Sequence, residues 1–152
     1  MRTCDPVIYA EDEETDAYFV RRAWHESEIE NSLIIVPDGM VAIDYLRGEG
    51  IYADRGQHPL PCLALLDLNM HGRSGLEVLK WIRAQPSVCT LPVIMLTSSS
   101  AAADVHRAYI QGANGFLVKP GRPAEMLTMI HSIKAFWLSQ NTTEQGMSKS
   151  SP

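Results

Sequence analysis

At 152 residues the chain has the length of one domain, with enough residues to bury a sizeable core. Hydrophobic residues make up 45% and charged residues 20%, an ordinary balance for a globular protein, and the formal net charge of -5 argues against an electrostatic nucleic-acid binder. No apolar run approaches the roughly 20 residues needed to cross a bilayer, so no membrane partner is expected. The N-terminus lacks a signal peptide's apolar core, because acidic residues arrive by Glu11. Cys4, Cys62 and Cys89 are odd in number and form no CxxC, which reads as reduced thiols in a cytoplasmic protein.

In chain order, residues 6–10 form a short apolar run and a first strand. It stops at four consecutive carboxylates, Glu11 to Glu14; Glu13 and Glu14 are expected to cap the next helix. Residues 15–26 carry Phe19, Val20 and Ala23 at helical spacing. Residues 33–36 are a second strand, Pro37-Asp38-Gly39 a turn, and 40–46 a short helix that Gly48 ends. Three glycines and two prolines mark 48–61 as a long surface connection. The apolar run before Asp67 is too short for an independent helix, follows Pro59 and Pro61, and reads as a strand buried on both faces. Residues 75–83 are an amphipathic helix, 92–96 a fourth strand, and 101–111 a helix closed by Gly112. Residues 116–118 are a fifth strand, and Pro123 opens a helix to about residue 138. Residues 139–152 read as a disordered polar tail, which leaves 1–138 as the single domain.

Five strands alternating with five helices predict an α/β fold, a (βα)5 flavodoxin-like architecture. Its parallel sheet is expected in the order 2-1-3-4-5, with the ligand site at the switch point between strands one and three. If all strands are parallel, their carboxyl ends share one edge. That edge collects Glu11 and Asp12, Asp67, Thr97 and Lys119. Each has a plain alternative: Asp67 could cap a turn, Thr97 could be a loop hydroxyl, and Lys119 a solvated lysine. Their joint position at strand ends is what points to a site. Clustered carboxylates repel unless protonated or bridged by a cation, and hard oxygen ligands suit Mg²⁺. An ionised Asp67 could attack a phosphoryl group, with Lys119 neutralising its oxygens and Thr97 donating a hydrogen bond to one of them.

With these residues in place, the chain resembles the receiver domain of two-component response regulators over roughly residues 6–138. The resemblance rests on Glu11-Asp12, on Asp67 within Leu65-Leu66-Asp67-Leu68-Asn69-Met70, on Gly75, on Thr97 within Met95-Leu96-Thr97-Ser98-Ser99, and on Lys119-Pro120. It implies that Asp67 is the phosphoacceptor and that a phosphohistidine on a sensor histidine kinase is the donor. It implies Mg²⁺, with Mn²⁺ able to substitute, held by Asp12, Asp67 and the backbone carbonyl of Asn69, with Glu11 reaching the metal through water. It also implies a cis Lys119–Pro120 peptide, and a switch in which Thr97 moves and Phe116 rotates inward. Asn69 and Ser99, two past Asp67 and Thr97, stand at positions that tune dephosphorylation. The stretch 45–53 together with 66–69 is similar to the stand-alone regulators paired with bacterial phytochromes.

Two departures stand out. His71 occupies a position where the family usually has proline, and Phe116 replaces the commoner tyrosine. A tolerated surface substitution is the plain reading of His71; a part in dephosphorylation is the sharper one. Only a polar tail follows the fifth helix, so output is expected from the receiver's own surface. Apolar residues wrap more of that helix than one stripe requires, ending in Phe136 and Trp137, and predict a homodimer through helix four, strand five and helix five. The rivals are an aspartyl-phosphate phosphatase or phosphotransferase and an unphosphorylated docking module. The first would need an aspartate where Asn69 stands; the second would not need the complete acidic and lysine set.

Overall fold

The computed structural model describes residues 5–140. Five parallel strands, β1 (Val7–Ala10), β2 (Leu33–Val36), β3 (Leu63–Leu66), β4 (Val93–Thr97) and β5 (Gly115–Val118), form one sheet in the order β2-β1-β3-β4-β5. The helices between and after them are α1 (Glu14–Glu26), α2 (Gly39–Arg47), α3 (Gly75–Ala84), α4 (Ala102–Ile110) and α5 (Pro123–Ile133). β1, β3 and β4 are buried along their whole length, as continuous apolar runs in a sheet covered on both faces must be.

Alternate residues of each strand feed two cores. Val7, Tyr9, Leu63, Leu65, Ile94 and Leu96 pack with α1 and α5 through Val20, Trp24, Met126 and Ile130. Ile8, Ala10, Ala64, Leu66, Val93 and Met95 pack on the other side with α2 and α3 through Ile43, Leu46, Val78 and Ile82. Each large aliphatic side chain taken fully out of water contributes about 1.5–3 kcal/mol, so the period-two register is strongly determined.

Caps set the helix limits. Asp38 accepts the Val41 N–H at 2.9 Å to start α2, and Gly48 (φ 75°) ends it in the left-handed region. Ser74 accepts the Glu77 N–H at 3.2 Å to start α3. Glu13 occupies the N-cap position of α1 but makes no side-chain cap, contrary to expectation; its N–H instead donates to Glu11 Oε2 at 3.3 Å.

The long connection lies at the surface but is held at fixed points. A short 3₁₀ turn spans Gly50–Tyr52. Arg55 donates to the carbonyls of Tyr45, Leu46 and His58, and Tyr45 Oη donates to the Pro59 carbonyl at 2.8 Å. α5 is followed by a π-helical segment, Lys134–Gln140, so the helical course runs past the expected end at 138 and includes Ser139. The rest of the expected polar tail lies outside the described residues. Among the described residues, no helix is long and apolar enough to cross a membrane.

Candidate functional site

The parallel register brings the predicted strand ends together. Ala10 aligns with Leu66 and Val36, and Thr97 with Val118. The chain then leaves each strand at the same edge, where backbone hydrogen bonds continue one residue further: Glu11 N–H to Val36 O, Asp67 N–H to Ala10 O, and Lys119 N–H to Thr97 O. Glu11, Asp67 and Thr97 are 3%, 5% and 0% exposed, so these polar groups are inside the protein and must be matched there.

Lys119 does the matching. Its ammonium donates to Asp67 Oδ2 at 2.7 Å, to Asp16 Oδ2 at 2.8 Å and to Glu11 Oε1. Glu11 also accepts the buried Tyr9 hydroxyl at 2.6 Å. Asp67 Oδ1 accepts the Asn69 N–H at 3.1 Å, so Asp67 both closes its turn and joins the cluster. One oxygen from each of Glu11, Asp16 and Asp67 lies within 4.8 Å of the others. Asp16, in the first turn of α1, was not singled out from sequence; an acidic residue at the start of the helix that follows the first strand end was the available signal.

The electrostatics follow. Burial pushes the Glu11 carboxyl up to about 7, although Lys119 and Tyr9 pull it down. Burial acts on Asp67 in the same sense, but Lys119, Glu11 and the Asn69 N–H outweigh it and hold that carboxyl below its ordinary value. Burial would lower Lys119, yet its carboxylate partners Asp16, Asp67 and Glu11 hold the ammonium well above the usual lysine value. Burial and the neighbouring Glu11 raise the Tyr9 hydroxyl. At neutral pH, then, Asp67 is an ionised carboxylate, held by an ammonium, at a sheet edge.

Asp12 stands apart from this cluster. Its Oδ2 accepts the His71 backbone N–H at 3.0 Å and contacts His71 Nδ1 at 2.6 Å. Asp12, Asn69, His71 and Ser74 border an open cleft beside the β3–α3 turn. Gly75 closes that turn: a Cβ there would stand 2.2 Å from the Asp67 carbonyl oxygen, so only glycine lets α3 start this close to Asp67. Gly39 fills a similar place unforeseen from sequence, its missing Cβ falling 2.4 Å from the Arg73 carbonyl oxygen.

Around the fourth strand end, Thr97 Oγ1 accepts the Ser99 N–H at 3.4 Å. Ser99 Oγ donates to Asp104 Oδ2 in α4, and Asp104 also accepts from Arg107 at 2.7 Å. Phe116 is half-buried, aligned with Met95 and packed against the α2–α3 core.

Two expectations are corrected. The Lys119–Pro120 peptide is trans, the ordinary preference of an X–Pro bond, and from it the lysine already reaches three carboxylates. The apolar surplus of α5 is largely absorbed: Trp137 and Leu138 pack on the α1–α5 core, and Phe136, 52% exposed, is what remains outward from that run. Tyr109, Ile110 and Val118 are exposed on α4 and β5.

Three carboxylates, Glu11, Asp16 and Asp67, share one ammonium, and a fourth, Asp12, faces the open cleft. That excess of hard, negatively charged oxygen beside an open cleft fits a small divalent cation.

The chain matches the response regulator receiver domain model over residues 7–131. It is 34% identical to the response regulator Rcp1 of Synechocystis over 136 residues, covering 90% of each chain. Among solved structures, it is similar to the phosphorylated cyanobacterial phytochrome response regulator RcpA, with a TM-score of 0.86 at 31% identity, covering 93% of this chain and 99% of that one. It is similar also to the Mn²⁺-bound form of Rcp1, with a TM-score of 0.82 at 33% identity, covering 91% and 98%. With its sheet order, its carboxyl-edge residues and these matches together, the chain belongs to the response regulator receiver domain family.

Proposed function

We propose that this receiver accepts a phosphoryl group on Asp67 from a phosphohistidine of a sensor histidine kinase. The observation that carries the reading is Asp67 itself: a buried, ionised carboxylate at the end of β3, 2.7 Å from the Lys119 ammonium. In this reading an Asp67 oxygen attacks phosphorus in line and the imidazole nitrogen of the donor leaves. Lys119 turns from the carboxylates to the new phosphoryl oxygens and neutralises them. Thr97 Oγ1, held by a long bond to the Ser99 N–H, is free to exchange that contact for one to the phosphoryl group. Phe116, half-buried on the neighbouring strand opposite Met95, follows inward as packing changes, without a hydroxyl to anchor it. Asn69 and Ser99, two past Asp67 and Thr97, would tune the lifetime of the acyl phosphate.

Glu11, Asp12, Asp67 and the Asn69 carbonyl would hold Mg²⁺, or Mn²⁺ in its place, which supplies positive charge to the phosphoryl oxygens when bound. The relatives favour a phytochrome as the kinase, since RcpA is a phytochrome response regulator. Cys62 and Cys89, neither of them in a disulfide among the described residues, agree with a reducing, cytoplasmic setting. A homodimer through α4, β5 and α5 is the proposed output surface, supported by exposed Tyr109, Ile110, Val118 and Phe136. Light scattering showing only monomer at high micromolar concentration, with and without beryllofluoride, would sink the dimer.

The donor is tested by phosphotransfer. An autophosphorylated bacterial phytochrome kinase should lose label to this chain within minutes, faster than an unrelated histidine kinase does. Equal or absent transfer from the phytochrome kinase would overturn that assignment.

A further inference from the structure

We propose that His71 is a nitrogen ligand for the divalent cation of this site, tilting its preference from Mg²⁺ toward first-row transition ions such as Mn²⁺. The inference rests on the cation reading above and adds to it a residue that the motif does not supply.

The geometry is local and specific. His71 reaches Asp12 Oδ2 twice, by its backbone N–H at 3.0 Å and by Nδ1 at 2.6 Å. The backbone contact fixes where the ring starts, and Gly72 (φ 76°) turns the chain away immediately after it. The ring is 96% exposed, so no packing requirement explains its position; Asp12 is what holds it. The same cleft carries Asn69, whose turn contains the carbonyl assigned to the cation. A histidine nitrogen and a carboxylate oxygen are therefore already side by side in an open cleft.

Neighbouring ligands of an octahedral ion with bonds of about 2.1 Å stand about 3.0 Å apart. The Nδ1–Oδ2 pair needs to open by only a few tenths of an ångström to receive an ion between them. The ring then carries its proton on Nε2, which the exposed side chain presents to water. Proline at this position could offer neither contact, having no ring nitrogen ligand and no backbone N–H. Mg²⁺ prefers an all-oxygen shell, whereas imidazole favours first-row transition ions. A histidine ligand thus changes which ion the site selects.

The test is pulsed electron paramagnetic resonance of the full chain with Mn²⁺ alone, together with titrations of Mn²⁺ and competing Mg²⁺. We expect nitrogen-14 hyperfine coupling on bound Mn²⁺, lost in His71→Ala and His71→Pro. We expect the ratio of Mn²⁺ to Mg²⁺ affinity to fall about 10-fold in both variants. His71→Ala changes an exposed side chain, and an unchanged circular dichroism melt verifies its fold. Bound Mn²⁺ without nitrogen coupling, and an unchanged ratio, would overturn the proposal while leaving the cation reading intact. Tighter binding of both ions in His71→Ala would also overturn it, by showing that the ring competes for Asp12. Absence of any divalent binding by the native chain would remove the cation reading as well.

Discussion

The site has two halves that solve the same electrostatic problem differently. Around Lys119, three carboxylates are drawn into or near the interior and matched by an ammonium whose side chain is 5% exposed. Around Asp12, one carboxylate faces an open cleft and is matched by a histidine almost wholly in water. The buried half is strongly perturbed, because desolvation magnifies every charge. The open half is adaptable, because water pays part of the same debt.

The largest expected effect comes from the buried half. Lys119→Met leaves three carboxylates without their ammonium and should lower the urea unfolding free energy by about 3 kcal/mol near neutral pH. If the loss is as small as that of a surface salt bridge, the interior matching described here is wrong. Next is Gly75→Ala, whose Cβ must push the Asp67 carbonyl from 2.2 Å. It should cost about 1–3 kcal/mol and slow phosphorylation by acetyl phosphate, since it displaces the turn that carries Asp67.

A pH series sharpens the contrast further. The Glu11 carboxyl is raised from 4.5 to about 7 on folding, so its contribution is fully present below about pH 4.5 and is lost as pH rises through 7. Asp67, held low, acts in the opposite sense and only in more acid solution. With a chelator present, Glu11→Gln should therefore gain on the native chain in unfolding free energy between about pH 5 and pH 8. Parallel curves for the two proteins would remove Glu11 as the titrating group. The smallest effect belongs to the open half: His71→Ala, without metal, should leave the urea midpoint unchanged, because an exposed pair contributes little.

Much of this was legible in the sequence, for identifiable reasons. The carboxyl-edge set Glu11, Asp67, Thr97 and Lys119 follows from apolar runs that end in polar residues, a pattern set by burial. Side-chain direction is not encoded that way. Asp12 and Asp16 are both acidic and close in sequence, but Asp12 lies before α1 and meets His71, whereas Asp16 sits in its first turn and meets Lys119. The partner of His71 is 59 residues away, a pairing that spacing along the chain does not encode. The trans peptide at Pro120 and the packing of Trp137 likewise depend on neighbours: Lys119 reaches its partners without a cis bond, and the π-helical segment turns Trp137 onto the core.

The central claim is that Asp67 is the residue phosphorylated. Mass spectrometry of the intact chain after incubation with acetyl phosphate and Mg²⁺ tests it most directly. The native protein should gain one phosphoryl group that alkali removes, peptide mapping after borohydride reduction should place it at Asp67, and Asp67→Asn should gain none. An unmodified native chain, or the same gain in Asp67→Asn, would contradict the account.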